Sequence, residues 1–440
     1  MQESDSFSFV QEWKGKFAAT GWWHSFELPD GTIIKGVNDV PYLRSRIEKF
    51  PIPADLSGKR VLDIGAWDGW YSFEMERRGA EVVAIDCWDN PRFREISAVL
   101  GSHVDYRQMD VYELSPERIG RFDIVLFLGV LYHLKHPLLA LERVCSVTTG
   151  MAAVDSIVLK EEHRPGADVD SRPIMEFYET NELGGQTDNW IGPSLPLLLA
   201  FCRTAGFARV EFRGLISHAA AAACYRHWEP VPSSPSKAPD LLSAVHHTNY
   251  GINFKSCYDE YVSCWFDSSQ ESLSIADVKP EVGGYGVRPI HVARSEGYWQ
   301  TNFKLPPGLP SGWHEVRVRI DDSAPSNPRN IAVDLPLGSP PLKITGLCDG
   351  HTGKPNEIDL SKGDSLAIWV AGLPENADRE NVKVSLHGRR VSVTNVEAPK
   401  ENQSRRVNVH VPDFAPSGTM QVVVNVGEGE SQSASIEVLG

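Results

Sequence analysis

Two patterns of apolar and polar residues divide the chain into two halves. From Val61 to about Leu215, short apolar runs such as RVLDIG, EVVAID and FDIVLFLGV alternate with amphipathic stretches such as GWYSFEMERRGA and PLLALERVCSV. The short runs predict buried strands, and the amphipathic stretches predict helices. Strands that alternate with helices indicate a parallel sheet with helices on both faces. We therefore predict an α/β doubly wound, Rossmann-like core in the first half.

After Tyr250 apolar residues occupy every second position. HEVRVRI, AIWVAGL, VNVHV and QVVVNV show this period, which is typical of antiparallel strands in a β-sandwich. Two stretches, NFKLPPGLPSGWHEVRVRI from Asn302 and NVHVPDFAPSGTMQVVVNV from Asn408, align without gaps. A repeat of about 100 residues is the size of one immunoglobulin-like sandwich. The second half is therefore predicted to form two tandem immunoglobulin-like β domains.

The same patterns set the domain boundaries. EPVPSSPSKAP, which begins at Glu229, has the Pro and Ser content of a linker. LPLLLAFC predicts a buried helix, and the alanine-rich run from Ala219 to Cys224 predicts a helix, or else a strand at the sheet edge. The predicted parts are a lid segment (1–57), the α/β domain (58–228), a linker (229–249) and two β domains (250–338 and 341–440).

Composition and charge narrow the class of protein. Hydrophobic residues make up 41% and charged residues 23% of the 440 residues, close to the globular average. No apolar run reaches the ~20 residues of a membrane span, so no membrane partner is expected. The seven cysteines form no C-x-x-C pair, which predicts reduced thiols of a cytoplasmic protein and no metal site. The first residues, MQESDSFSFVQEWKGKF, are polar and acidic, which predicts no signal peptide. The net charge of -15 disfavours nonspecific nucleic-acid binding, because phosphates bind Lys and Arg.

The strongest chemical signal is the loop after the first strand of the core. RVLDIG ends in Asp63 and Gly65, and Gly69 follows where a helix is predicted to begin. Glycine lets the backbone turn tightly and approach a ligand. A nicotinamide loop would need G-x-G-x-x-G, but Trp67 stands at the second glycine position, where an indole would obstruct a pyrophosphate. The loop therefore predicts a ligand with an amine and a carboxylate but no phosphate.

This loop resembles the S-adenosylmethionine loop of class I methyltransferases, with its D-x-G-x-x-x-G pattern. The resemblance implies that Asp86 accepts hydrogen bonds from both ribose hydroxyls of the cofactor. It also implies that Cys87 and Trp88 lie against the adenine and that Asp110 binds the adenine amine. The predicted cofactor residues are Asp63, Gly65, Trp67, Gly69, Asp86, Cys87, Trp88, Asp110 and Gly129.

A second resemblance concerns GVLYHLKHP, which begins at Gly129. It is similar to the G-V-L-Y-H-x-x-x-P stretch of the methyltransferase-like enzymes that form 5-carboxymethoxyuridine and 5-methoxyuridine at the tRNA wobble position. Those enzymes hold the extra carboxylate of carboxy-S-adenosylmethionine with a Lys, a Tyr and a late Arg. Tyr132 and Arg226 match two of these residues, whereas the Lys is replaced by the HSFE stretch from His24. The resemblance thus implies S-adenosylmethionine or its carboxylated form as cofactor, with tRNA as an alternative partner that the acidic charge disfavours.

Several residues are candidates for the acceptor side. His133 is predicted to act as a general base, since the neutral imidazole suits proton removal near pH 7; the alternative is that it orders its loop. Tyr132 is predicted to contact the methyl pocket or to donate a hydrogen bond to the acceptor, unless it is only packed. The predicted substrate-binding residues are Trp23, His24, Trp190 and Arg226. Trp13, Trp22, Trp23 and His24 form either a lid over the cofactor or a packing flap.

Three functions remain open at this level. The first is methyl transfer from S-adenosylmethionine to an oxygen or nitrogen of a small-molecule or glycan acceptor. The second is modification of the tRNA wobble uridine, and the third is a non-catalytic scaffold that binds S-adenosylmethionine. The β domains are expected to bind a partner or to mediate oligomerisation.

Overall fold

A computed structural model describes residues 21–161, 166–183, 185–338, 340–399, 404–412 and 415–439. The chain forms two compact units. The first comprises the chain through Ser233 together with 279–288 and 306–309. The second comprises 234–278, 289–305 and the chain from Pro310 onward. The first unit is thus built from three separate stretches, which the sequence boundaries did not predict.

A seven-stranded sheet forms the centre of the first unit. Its strands are β1 (Arg60–Ile64), β2 (Glu81–Asp86), β3 (Asp105–Gln108), β4 (Phe122–Leu128), β5 (Thr148–Ile157), β6 (Arg209–Ile216) and β7 (Ala219–Tyr225). The spatial order is β3-β2-β1-β4-β5-β7-β6, and only β7 runs antiparallel to its neighbours. The order reverses between β1 and β4, and open α/β sheets bind ligands at the carboxyl ends of such strands. The predicted doubly wound core is confirmed.

Helices cover both faces of this sheet. They are α1 (Val40–Ile47), α2 (Trp70–Arg77), α3 (Pro91–Leu100), α4 (Pro137–Val147) and α5 (Leu195–Thr204). Buried residues of α1, α2 and α3 share one apolar core with Val61, and those of α4 and α5 share the other with Leu62. Adjacent strand residues therefore point to opposite faces, and both faces are buried, which explains the continuous apolar runs. Short additional elements are the strand pairs Phe26–Glu27 with Ile33–Ile34 and Met175–Phe177 with Ile191–Pro193, and the helical turns Val111–Glu113, Pro116–Ile119 and Leu131–His133.

The alanine-rich run from Ala219 forms strand β7, so the helical alternative was wrong for this segment. Its central residues, Ala220 to Cys224, are fully buried. The strand pairs along its whole length with β5 on one side and β6 on the other. Backbone pairing on both sides outweighs the helix propensity of alanine, which is a weak preference of a few tenths of a kcal/mol to about 1 kcal/mol per residue.

The second unit is all-β, as the alternating pattern predicts. A first group of strands comprises Asp240–His246, Asn253–Phe254, Tyr261–Asp267, Pro289–Ser295, Tyr298–Lys304, Gly312–Ile320 and Arg329–Val333. A second group comprises Lys343–Asp349, Glu357–Asp359, Ser365–Ala371, Val382–Leu386, Arg389–Val396, Arg405–His410, Gly418–Val426, Gly429–Glu430 and Ala434–Leu439. Asp240–His246 lies in the segment predicted as linker; it is a strand because Leu241 and Ala244 are buried. No described helix is both long and apolar enough to span a bilayer.

The turn at 306–309 completes the first unit. An Arg121 guanidinium N–H donates to the Gly308 carbonyl at 2.8 Å. Gly308 has a left-handed φ of +78°, and a Cβ there would lie 2.1 Å from the Ser146 carbonyl oxygen. Gly284 has a similar φ of +84°, but a Cβ there would meet nothing within 4 Å.

We expect Gly308→Ala to destabilise the first unit far more than Gly284→Ala. Both variants incur the cost of a left-handed non-glycine residue, about 1–2 kcal/mol. Only Gly308→Ala adds a clash with backbone, which should raise the loss to about 3 kcal/mol or more. Urea unfolding of the full chain measures both, and equal losses would show that the turn does not pack as described.

Candidate functional site: an acid-lined cavity at the carboxyl edge of the sheet

The loop that follows β1 is held in one conformation by its own backbone. Gly65 has a φ of +70°, and a Cβ there would lie 2.4 Å from Cγ2 of Val130. The N–H groups of Gly65 and Ala66 both donate to the Ile85 carbonyl, at 2.8 and 3.1 Å. Trp67 is also left-handed, with a φ of +53°, and its N–H donates to Asp86 at 2.9 Å. Only glycine fits at position 65, as the sequence predicted.

Two buried carboxylates flank this loop. Asp86 accepts from the Trp67 N–H on Oδ2 and from the Trp88 N–H on Oδ1, at 2.9 and 3.1 Å. Each oxygen keeps a lone pair for a further donor. Asp63 accepts from the Ser72 hydroxyl at 2.6 Å. Burial raises the pKa of Asp63 to about 6, although Ser72 and His24 oppose the rise. These carboxylates can accept hydrogen bonds from hydroxyl or amine groups of a ligand.

Asp110, Cys87 and Trp88 complete the side of the cavity near β2 and β3. Asp110 accepts from the Tyr112 N–H at 2.9 Å and so begins the turn Val111–Glu113. Burial and the neighbouring Asp86 raise the pKa of the Cys87 thiol to about 11, so it stays protonated. The Trp88 side chain is largely exposed at the rim.

The loop after β4 brings Tyr132 and His133 to the cavity. The Tyr132 side chain is half-buried, and its desolvation raises the pKa of the phenol well above the usual value and keeps it protonated. His133 Nδ1 lies 3.1 Å from the Asp188 carbonyl oxygen. A carbonyl only accepts, so Nδ1 carries the proton and Nε2 is the basic nitrogen. Burial lowers the pKa of His133, with Asp188 opposing the shift, so the ring is neutral near pH 7.

The amino-terminal segment is tied to the loop that follows β1 through Asp68. The N–H groups of Trp23 and His24 donate to Asp68 Oδ2 at 2.8 and 3.0 Å. His24 Nδ1 bonds to Asp68 Oδ1, and the ring packs edge-on against Tyr71. Both His24 and Asp68 are buried. Trp13, part of the predicted lid, lies outside the described residues.

A buried ion pair forms a further part of the wall. Arg46 on α1 donates from Nε and Nη2 to the two carboxylate oxygens of Asp155, both at 2.6 Å. Burial would lower the pKa of Arg46, but the Asp155 charge outweighs it and raises the pKa well above the usual value. Asp155 lies near the carboxyl end of β5 and is fully buried. The pair joins α1 to the centre of the sheet.

These residues enclose one cavity of about 400 Å³. Its wall carries the five aspartates Asp63, Asp86, Asp110, Asp155 and Asp188, whereas Arg46 is the sole Arg or Lys among the described lining residues. The predicted residues that line it are Trp23, His24, Asp63, Gly65, Trp67, Asp86, Cys87, Trp88, Asp110, Gly129, Tyr132 and His133. The cavity is therefore strongly acidic, and its volume is within the range of small-ligand sites.

Three predicted residues do not line the cavity. Gly69 begins α2 with a φ of +92°, and a Cβ there would clash with the rings of Phe93 and Phe73. The Trp190 ring lies 4.0 Å from Lys135 Nζ. The Trp190 N–H donates to the Tyr132 carbonyl at 2.8 Å, so Trp190 contacts the loop after β4 without lining the cavity.

Arg226 is placed elsewhere altogether, which corrects its predicted position in the substrate site. It follows β7 and is fully buried, donating to Cys145 Sγ at 2.7 Å and to the Pro307 carbonyl at 2.8 Å. Its guanidinium lies 4.0 Å from the centre of the Tyr285 ring. These partners hold Arg226 inside the first unit, away from the cavity.

Sequence reasoning missed Arg46, Asp68, Asp155, Tyr42 and Tyr71, although all but Asp68 line the cavity. One signal was available for Asp155, because a carboxylate inside the apolar strand MAAVDSIV must be paired if it is buried. Its partner Arg46 lies 109 residues earlier, so the pairing could not be read from local pattern.

Comparison with known proteins agrees with this geometry. Residues 39–156 match the family model described as a methyltransferase domain. The chain is 32% identical over 167 residues to the tRNA U34 carboxymethyltransferase of Pseudomonas syringae pv. tomato, covering 36% of this chain and 48% of that enzyme. It is 43% identical over 86 residues to the ubiquinone biosynthesis O-methyltransferase of Azotobacter vinelandii, covering 19% and 36%. The chain spans about half or less of the length of these two relatives.

A solved structure, the N-terminal domain of EvdMO1 in the presence of SAH and D-fucose, aligns at a TM-score of 0.35. It is 22% identical and covers 50% of this chain and 96% of that one.

The strand order and the glycine loop with its carboxylates agree with the match of residues 39–156 to a methyltransferase domain. A class I domain that uses S-adenosylmethionine is what the sequence resemblance implied.

The residues present fit S-adenosylmethionine by the chemistry of their donors and acceptors. Asp86 retains acceptor capacity for the ribose hydroxyls, and Gly65 leaves space where a side chain would not fit. The sulfonium and the amine are cationic, and the acidic wall complements both.

We expect Arg226→Met to leave the affinity for S-adenosylhomocysteine unchanged within twofold, because Arg226 contacts Cys145, Pro307 and Tyr285 rather than the cavity. Isothermal titration calorimetry on the folded full-length variant measures this. A large loss of affinity without loss of folding would return Arg226 to the ligand site.

Proposed function

We propose that the chain transfers a methyl group from S-adenosylmethionine to an oxygen or nitrogen of a small-molecule or sugar acceptor. The observation that carries this proposal is the charge of the cavity, with five aspartates against one arginine. An acidic wall attracts a cationic cofactor and repels an acceptor rich in phosphate. The fold and the family match support the reaction class.

The ion pair of Arg46 with Asp155 favours S-adenosylmethionine over its carboxylated form as the cofactor. An extra carboxylate on the cofactor would need an unpaired cation near Tyr132. Arg46 is the sole described Arg or Lys on the wall, and Asp155 already binds two of its nitrogens. The late Arg226, the other cation that the resemblance implied, is buried elsewhere.

The acceptor side of the wall suits a small hydroxylated compound. The phenols of Tyr42, Tyr71 and Tyr132 border the cavity beside the Arg46–Asp155 pair. Phenols combine an apolar ring with a polar tip, so they pack against a ligand and also hydrogen-bond to it. This wall supports a sugar or another polyhydroxylated acceptor.

His133 is the base in this proposal. S-adenosylmethionine, when bound, supplies an electrophilic methyl group, and the protein must align the acceptor and remove its proton. The Asp188 carbonyl fixes the His133 tautomer in which Nε2 can take that proton. Tyr132, kept protonated by burial, can donate a hydrogen bond to the acceptor.

The tRNA alternative is supported by the sequence match to tRNA U34 carboxymethyltransferases and opposed by the acidic cavity. One assay separates the alternatives. The full-length protein is incubated with S-adenosylmethionine and either a panel of sugars and small hydroxylated or amine compounds or bulk tRNA, and release of S-adenosylhomocysteine is measured. Turnover with tRNA alone would contradict the proposal, and cofactor binding without any turnover would favour the scaffold.

Asp86→Ala should weaken binding of S-adenosylhomocysteine by about 1.5–3 kcal/mol, the range for hydrogen bonds to a charged group. The measurement is calorimetry at neutral pH. Asp89→Ala is the matched control, because Asp89 is exposed and pairs with Arg94 on the surface. An unchanged affinity in Asp86→Ala would rule out the ribose role.

His133→Ala should lower kcat by about 10²–10⁴ with little change in cofactor affinity. The wild-type rate should be full when the ring is neutral and should fall as pH drops through its pKa. Because burial lowers that pKa, the midpoint should lie below the ordinary value of 6.5. If His133→Ala kept full turnover, His133 would only order its loop. The same would follow if the pH profile of the variant still showed the fall in rate at acid pH.

A further inference from the structure

The acidic wall leaves one part of the cofactor without an evident partner. S-adenosylmethionine carries a sulfonium and an amine, which suit aspartates, but also a carboxylate, which they repel. Four N–H groups of the glycine loop already have acceptors within the protein. The N–H groups of Gly65 and Ala66 donate to Ile85, that of Trp67 to Asp86, and that of Gly69 to Ala66.

Arg46 is also engaged. Two of its nitrogens bind Asp155 at 2.6 Å, and the third, Nη1, lies 3.4 Å from the Tyr71 hydroxyl. Its charge is balanced by a fully buried carboxylate, so it adds little net attraction for a second anion.

His24 is the candidate partner for the cofactor carboxylate. It lines the cavity beside the glycine loop, close enough to Asp63 to oppose the effect of burial on that carboxyl. Asp68, fully buried, binds His24 Nδ1 and also accepts the His24 and Trp23 N–H groups. A carboxylate only accepts, so Nδ1–H of His24 faces Asp68 and Nε2 is the ring nitrogen left for a ligand. When Nε2 carries a proton, it can donate to a carboxylate.

We propose that His24, held and charge-balanced by Asp68, binds the carboxylate of the methionine part of the cofactor. His24 is then a cofactor-binding residue rather than part of the acceptor site, and Asp68 is a positioning residue. This assignment rests on the proposed function, because it requires an S-adenosylmethionine site in this cavity. It also explains why the lid segment is fastened to the glycine loop by three hydrogen bonds to one carboxylate.

The test uses two ligands that differ in the group concerned. S-adenosylhomocysteine carries the amino-acid carboxylate, whereas 5′-methylthioadenosine keeps the adenosine and the thioether but lacks the amino acid. His24→Asn places an amide N–H where Nδ1 stands, so it can keep the bond to Asp68 while removing Nε2. Calorimetry on the full-length protein measures both affinities.

His24→Asn should weaken S-adenosylhomocysteine about 10- to 150-fold, the equivalent of one hydrogen bond to a charged group. Binding of 5′-methylthioadenosine should change less than twofold. His103→Asn is the matched control, since His103 is exposed and outside the cavity, and it should change neither affinity. Asp68→Asn should reproduce the selective loss, and thermal unfolding checks that each variant is folded.

Each other outcome overturns the assignment. Equal weakening of both ligands would show that His24 only holds the lid in place. Unchanged affinities would show that the ring does not reach the carboxylate. A selective loss in Arg46→Gln but not in His24→Asn would assign the carboxylate to Arg46. Wild-type protein that binds neither ligand would refute the proposed function itself, whereas the preceding outcomes leave it intact.

Discussion

The burial of carboxylates at the edge of the sheet is the constraint on which the site depends. Asp63, Asp68, Asp86 and Asp155 are each at most 6% exposed. A buried carboxylate costs several kcal/mol unless it is paired or hydrogen-bonded. Asp155 is paired with Arg46, Asp68 with His24 and two N–H groups, and Asp86 with two N–H groups. Asp63 accepts from Ser72, and burial still raises its pKa to about 6. Helix α1 and the lid segment must therefore fold onto the sheet for the acids to be satisfied.

Local patterns of residues in the sequence predicted the strands and the glycine loop, but not contacts between residues that lie far apart in the chain. Strands β1, β2, β4 and β5 are apolar runs in the sequence because both faces of the central sheet are buried there. The loop from Gly65 to Gly69 was identifiable because glycine positions and acids recur at fixed spacing along the chain. The pairing of Arg46 with Asp155 was not, since the two are brought together only by the fold. The position of Arg226 could not be predicted for the same reason, because its partners Pro307 and Tyr285 lie beyond the predicted domain boundary.

The contacts of Arg226 and the two residues after it show that the first unit extends beyond residue 232. His227 Nδ1 lies 2.9 Å from the Gly284 carbonyl oxygen and Nε2 lies 2.8 Å from the Thr149 carbonyl oxygen, and the Trp228 indole donates to the Pro280 carbonyl. Carbonyl groups of 279–288 thus bind the side chains of His227 and Trp228, and the Pro307 carbonyl binds Arg226. A chain ending near residue 232 would leave the buried Arg226 without its Pro307 acceptor, at a cost of about 1–3 kcal/mol for such a group. The Pro- and Ser-rich segment after Glu229 is therefore not the end of the unit in structural terms.

The two histidines of the cavity illustrate how the partner of one ring nitrogen selects the use of the other. His133 Nδ1 lies 3.1 Å from the Asp188 carbonyl oxygen and 3.6 Å from the Asp188 carboxylate, and burial outweighs that charge and lowers the pKa of the ring. His24 Nδ1 instead faces the fully buried Asp68 carboxylate. In both rings Nδ1 has a protein partner, so Nε2 is the nitrogen left for a ligand. In the function proposed above, Nε2 of His133 takes a proton from the acceptor, and Nε2 of His24 binds the carboxylate of the cofactor.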